Sequence, residues 1–160
     1  LELAETKSLP RVASIQNAYN LVNRGFEIGL SEVAIHEQVG LLAYSPLAQG
    51  TLTGKYLGGQ MPQGSRLALF GDGPLMMRYK GDKTQQAIEM YVNLAKKYEI
   101  DPAQLAIQFC NIQPFVTSTI IGATTMEQLK TCIDSVDLDI TKEIINEIRS
   151  IHKEIPNPAP

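Results

Sequence analysis

Short apolar runs bounded by glycine and proline alternate along this chain with stretches in which apolar residues recur every three or four positions. The first pattern predicts buried strands and the second amphipathic helices. Leu1 to Lys7 reads as the tail of a helix, and Pro10 breaks it. Val12-Ala13-Ser14-Ile15-Gln16-Asn17 reads as a short strand ending in two amides. After Gly25, the residues Phe26, Leu30, Val33 and Ala34 fall on one helical stripe that ends near Val39-Gly40. Leu41 to Tyr44 is then a second strand.

From Pro46 to Gly81 glycine and proline are frequent and periodicity fades, which predicts a long functional or mobile loop. Periodicity returns with Ala87, Ile88, Tyr91, Val92, Ala95 and Tyr98, a helix for which Thr84 is the expected cap. Asp101-Pro102-Ala103-Gln104 combines an N-cap, a proline at the first helical position and a capping-box partner. The helix it opens points Leu105, Ala106, Phe109 and Cys110 inward and stops before Pro114. Val116 to Ile121 is a third strand, and Thr124-Thr125-Met126-Glu127-Gln128 opens another helix with capping-box spacing. Thr141 caps a last helix carrying Ile144, Ile145, Ile148 and Ile151. The proline-rich tail from Ile155 to Pro160 is expected to be irregular.

Strands alternating with helices predict an α/β chain built of parallel β/α units. Three strands are few for a parallel sheet covered on both faces, and a full (β/α)8 barrel takes about 250 residues. Two readings remain from pattern alone, a small three-stranded domain or the back half of a barrel, and missing sequence explains the count better.

Composition narrows the class. Hydrophobic content of 44% with 19% charged residues is ordinary for a globular protein, and the net charge is −3. That charge gives no reason to expect nucleic acid or an anionic membrane as partner. The apolar runs are too short to span a bilayer, and Leu1-Glu2-Leu3-Ala4-Glu5 does not read as a signal peptide. Cys110 and Cys132 form no CxxC pair, so two buried free thiols in a cytoplasmic chain with no metal site are expected.

The richest chemistry lies in Gly40-Leu41-Leu42-Ala43-Tyr44-Ser45-Pro46-Leu47-Ala48-Gln49-Gly50-Thr51-Leu52-Thr53-Gly54-Lys55-Tyr56. A buried run, an aromatic and hydroxyl tip, and a loop with two glycines are the parts of a strand whose carboxyl end opens onto a ligand. Together with Ser14 to Leu21 and Ile121 to Leu129, this stretch resembles the aldo-keto reductase superfamily. The nearest likeness is to the branch holding bacterial Tas-like reductases and the β subunits of voltage-gated potassium channels. The resemblance implies the C-terminal half of a (β/α)8 TIM barrel, strands six to eight plus the closing helices, over residues 1–160.

It further implies part of an NADP(H)-dependent oxidoreductase that reduces aldehydes and ketones, with the cofactor held without a GxGxxG loop. Gln16 matches the glutamine that hydrogen-bonds the nicotinamide carboxamide, and Tyr44 the aromatic that stacks on the ring. Ser45, Pro46, Leu47 and Gly50 match the segment folded over the pyrophosphate, with Lys55 and Arg66 as phosphate-binding cations. Thr124 and Gln128 match the helix start that takes the adenosine 2′-phosphate, the basis for preferring NADP(H) over NAD(H). Without the family likeness each is also explained by packing, capping or a solvated charge. Thr131 and Cys132 stand where many relatives carry a Glu-Asn pair on the adenine, which weakens that contact.

The tyrosine, lysine and aspartate that carry the family's proton chemistry belong to an N-terminal half, so no catalytic residue is expected here. Tyr91 and Tyr98 fall on a helix face, and His36 and His152 read as surface or packing residues. Three roles follow: a piece of a full-length reductase acting on a small carbonyl substrate; a half-barrel that associates with itself or with a complementary N-terminal half; or an inactive cofactor-binding, channel-regulatory module.

Overall fold

The structure, a computed structural model, describes residues 1–71 and 73–160, and all of their side chains but that of Leu75. Three parallel strands, β1 (Ser14–Ala18), β2 (Gly40–Tyr44) and β3 (Val116–Thr119), lie in the order β1-β2-β3. The observed β1 starts two residues later than expected and β3 ends two residues earlier. Ser14 pairs with Gly40 and Ala18 with Tyr44, so β1 and β2 run in step to their carboxyl ends. Against β3 the register slips between Leu41 and Leu42, which face Val116 and Ser118 and leave Thr117 as an extra residue.

Eight α-helices accompany the strands among the described residues. They are α1 (Glu2–Thr6), α2 (Leu30–His36), α3 (Arg66–Phe70), α4 (Pro74–Met77), α5 (Asp82–Lys97), α6 (Pro102–Asn111), α7 (Met126–Asp134) and α8 (Lys142–Glu154). Three of the longer ones, α6, α7 and α8, follow their cap signals. Asp101 accepts from the Ala103 and Gln104 amides at 2.7 and 3.2 Å, Thr125 from Gln128, and Thr141 from Ile144. Each cap satisfies N–H groups that the first turn of a helix leaves without partners.

Leu41 and Ala43 of β2 are fully buried, in one core with Ile88, Tyr91, Val92, Leu105, Phe109 and Ile148 of the helices. Tyr19 ties it together, its ring 5.7 Å from Phe109 and 5.3 Å from Phe115. The opposite face, toward which Ser14, Gln16, Tyr44 and Ser118 are exposed, is polar and open. Among the described residues no helix is long and apolar enough to cross a membrane.

Three expectations change. The stripe after Gly25 splits into a 3₁₀ turn at Gly25–Glu27 and α2, separated by Gly29 at φ 90°. That break puts the two parts out of phase: Phe26 and Ala34 are buried, whereas Leu30 and Val33 are 42% and 47% exposed. Thr84 is not the cap of α5, which begins at Asp82 after Gly81. Its side chain turns inward instead, and the hydroxyl donates to the Pro158 carbonyl at 2.8 Å.

The segment 46–81 is not a bare loop, although Asp72 within it lies outside the described residues. It holds 3₁₀ turns at Ala48–Thr53 and Leu57–Gly59 and the short α3 and α4. The tail is irregular, as expected, and it is anchored. The Ala159 amide donates to Val22 O at 3.1 Å, and Asn157 Oδ1 accepts from the Arg24 amide at 2.7 Å.

Candidate functional site

Side chains two apart on a strand share a face. Gln16 pairs with Leu42, two residues before Tyr44, so Gln16 and Tyr44 project from the same open face on adjacent strands. Both are exposed, Tyr44 at 39%. A planar amide and an aromatic ring are thereby presented together at the carboxyl ends of parallel strands, where ligands bind in sheets of this kind.

Beyond Tyr44 the backbone leaves ordinary conformations. Ser45, Ala48 and Gln49 have φ of 56°, 49° and 60°, and Gly50 and Gly54 have 90° and 80°. Positive φ is uncommon away from glycine, and runs of it cluster where a loop must aim its amides. Pro46 is buried beneath the turn, whereas Ser45 and Leu47 are half-buried. Gly50 suits its φ of 90°, and a Cβ there would meet the end of the Lys55 side chain at 3.0–3.1 Å. Lys55 therefore lies across Gly50, its ammonium 5.1 Å from the Tyr56 ring centroid.

Arg66 opens α3, and its Nη1 donates to Gln49 Oε1 at 2.6 Å; Gln49 Nε2 in turn reaches Ser45 Oγ at 3.5 Å. Ser45, Gln49, Gly50, Lys55 and Arg66 thus form one connected group that combines a hydroxyl, turned backbone and two cations. Gln49 was not among the residues expected from the sequence. Its signal there was weak, one amide between alanine and glycine, and only the fold makes it the link from Arg66 to Ser45.

Thr124 and Gln128 lie past β3 at the same carboxyl end of the sheet, and both are exposed. They bond to each other rather than to the loop after β2: Gln128 Oε1 accepts from the Thr124 amide at 3.0 Å and from its hydroxyl at 3.1 Å. This places a capped, polar helix start at the edge of the site. Thr131 donates to Glu127 O within α7, and Cys132 is buried.

These groups fit a dinucleotide in kind: an amide and a ring for the nicotinamide, turned backbone with cations for phosphates, and a helix start for a terminal anion. Other titratable groups serve the core. Tyr19 donates to Glu27 at 2.6 Å, and Arg24 pairs with both Glu27 oxygens at 2.7 and 2.8 Å. Burial, with the Glu27 charge beside it, pushes the Tyr19 phenol far up, and burial does the same to Tyr91. Cys110 and Cys132 are free and buried. Among the described residues no group of three or more His, Cys, Asp or Glu side chains could hold a metal.

A recess of about 420 Å³ lies elsewhere, beside the outer edge of β3, lined in part by Gln108, Asn111, Ser118, Thr119 and Cys132. Thr119 donates to Asn111 at 2.6 Å there, which ties the end of β3 to α6. The open edges of β1 and β3 and the open face of the sheet are the sides on which further strands of a barrel would stand.

Comparison with known proteins agrees with this architecture. Protein tas of Escherichia coli (strain K12) is 50% identical over 160 residues, which is 100% of this chain and 45% of that protein. An aldo-keto reductase of Babesia bovis is 37% identical over 94% of this chain and 55% of its own length. A probable voltage-gated potassium channel subunit beta of Oryza sativa subsp. japonica is 35% identical over 74% of this chain and 37% of its own. The chain therefore spans about half the length of the curated relatives it matches. The solved glycerol dehydrogenase of Gluconobacter oxydans superposes with a TM-score of 0.72 at 22% identity, over 94% of this chain and 45% of that one. That likeness shows the fold alone, an α/β chain matching part of a barrel. The family model described as aldo/keto reductase family matches residues 1–153, and the chain belongs to that family.

Proposed function

We propose that residues 1–160 are the C-terminal part of a cytoplasmic, NADP(H)-dependent oxidoreductase that reduces aldehydes and ketones to alcohols, and that this part supplies its cofactor-binding segments. The observation that carries the reading is the projection of Gln16 and Tyr44 from one open sheet face, continued by the positive-φ residues Ser45, Ala48, Gln49, Gly50 and Gly54 of the loop after β2.

When bound, the reduced nicotinamide supplies a hydride. The chain's own residues hold and orient. The Gln16 amide carries a donor and an acceptor for a carboxamide, which selects the exposed ring face. Tyr44 covers the other face. Ser45, Pro46, Leu47 and Gly50 shape a backbone cradle whose N–H groups suit a pyrophosphate, with Lys55 and Arg66 opposing its charge. Thr124 and Gln128 at the start of α7 suit the 2′-phosphate, where the helix dipole and their polar side chains favour an anion. No proton donor is assigned within this chain. The complete reaction draws on an N-terminal half, and the open strand edges suit docking of that half or of a second copy.

Titrating NADPH against the chain's tyrosine fluorescence tests the reading, with NADH as comparison. Saturable binding that is tighter for NADPH is expected, and no binding at millimolar NADPH rejects it. The potassium channel subunit beta among the relatives favours a second reading, a cofactor-binding regulatory module. NADPH binding by the full-length protein without carbonyl-dependent NADPH oxidation would select that one.

A further inference from the structure

Asn20 is fully buried two residues past β1, and every polar atom of its side chain is bonded. Its Oδ1 accepts from the Val22 and Asn23 amides at 3.0 and 2.9 Å, which closes a tight turn. An ordinary Asx turn would end there. The Asn20 Nδ2 instead donates across the sheet end to the Ser45 carbonyl at 3.0 Å. Next to it the Tyr19 amide donates to Tyr44 O at 3.3 Å, so two consecutive residues grip two consecutive residues of the neighbouring strand end.

Ser45 is the first residue with positive φ after β2, a non-glycine residue ahead of a proline ring. Its carbonyl also accepts from the Ala48 amide at 2.9 Å, the bond that starts the turned segment. The Asn20 turn is itself braced: Asn20 and Asn23 exchange backbone bonds at 3.0 and 3.1 Å, and Ala159 of the tail bonds Val22 O.

We propose that Asn20 is the positioning residue of the cofactor loop: its buried amide holds Ser45 in the left-handed conformation and thereby sets where Tyr44 and the Ser45–Gly54 backbone point. The side chain suits the task because it must accept from two N–H groups and donate to a carbonyl at once. Aspartate keeps the acceptor and loses the donor, and serine lacks the reach to do both. The functional half of this inference rests on the cofactor reading above; the hold on Ser45 does not.

The test is Asn20→Asp in the 160-residue chain, read by amide hydrogen exchange and by NADPH titration. Faster exchange at Ala48, by about tenfold, with Val22 and Asn23 still protected, is expected from loss of one buried hydrogen bond. NADPH affinity should fall by about the same factor. Unchanged exchange at Ala48 overturns the proposal, as does equal acceleration throughout β1 and β2, which marks a merely structural role. If the unsubstituted chain binds no NADPH while Ala48 still responds, the cofactor reading fails and the hold on Ser45 stands. Should N20D not fold, exchange of the Asn20 side-chain amide in the unsubstituted chain decides: protected protons support the bond to Ser45, and solvent-rate exchange overturns it.

Discussion

Gly40 on β2 lies under the side chain of Thr117 on β3, and a Cβ built on Gly40 would overlap the Thr117 hydroxyl. Thr117 is the extra residue where the two strands slip register, so the absence of a side chain at Gly40 is what lets the irregularity fit. Gly40→Ala should therefore destabilise the chain by about 1–3 kcal/mol, as overpacking does. Urea unfolding checks the loss, and adding Thr117→Ala should recover part of it.

Tyr44 should show a graded effect on cofactor binding. Tyr44→Phe keeps the ring and is expected to bind NADPH nearly as the unsubstituted chain does. Tyr44→Ala should weaken binding about three- to tenfold, the scale of one aromatic stacking contact. Equal affinities for all three would remove Tyr44 from the site.

Acid should destabilise the fold in two stages. Burial, then the Arg24 charge, depresses His152 below the ordinary histidine value of about 6.5. The unfolded chain then takes up the proton first, so this stability is fully present above about pH 6.5 and declines as pH falls through the folded value. Burial works to raise Glu27, but bonds from Arg24 and Tyr19 outweigh it and hold the carboxyl low. Its contribution is present above the ordinary carboxylate range and is lost at still lower pH, through the folded value. Thermal melts of His152→Gln and Glu27→Gln across pH should each flatten their own stage.

The tail should matter to stability despite its irregularity. A chain ending at Ile155 loses the bonds to Arg24 N, Val22 O and the Thr84 hydroxyl, together with buried Ala159. At about 1 kcal/mol per net hydrogen bond, a loss of about 2–4 kcal/mol is expected in urea unfolding. Asn157→Ala alone should cost about 1 kcal/mol or more, since Asn157 also sits at φ 44°.

Asp101→Ala should destabilise by about 1–2 kcal/mol, because two amides of α6 lose their acceptor. Asp101→Ser should restore most of that, and equal loss in both variants would mean that the cap is not what Asp101 contributes.

Much of this protein was legible as sequence because its signals are local. Asp101, Thr125 and Thr141 act on amides two or three residues away, so cap and helix start are read together. The three strands, their parallel arrangement and the exposed tips at Gln16 and Tyr44 follow from short apolar runs separated by helices. Tertiary structure alone decided what depends on segments far apart in the chain. Thr84 faces Pro158 rather than capping its helix, and Leu30 and Val33 point outward because Gly29 breaks the phase. Ser45 is held by Asn20 from the neighbouring strand end, Arg66 reaches back to Gln49, and Thr117 rests over Gly40. Periodicity and capping motifs record what a residue does to its own turn or strand. They carry no information on which distant carbonyl or missing side chain the fold will bring against it.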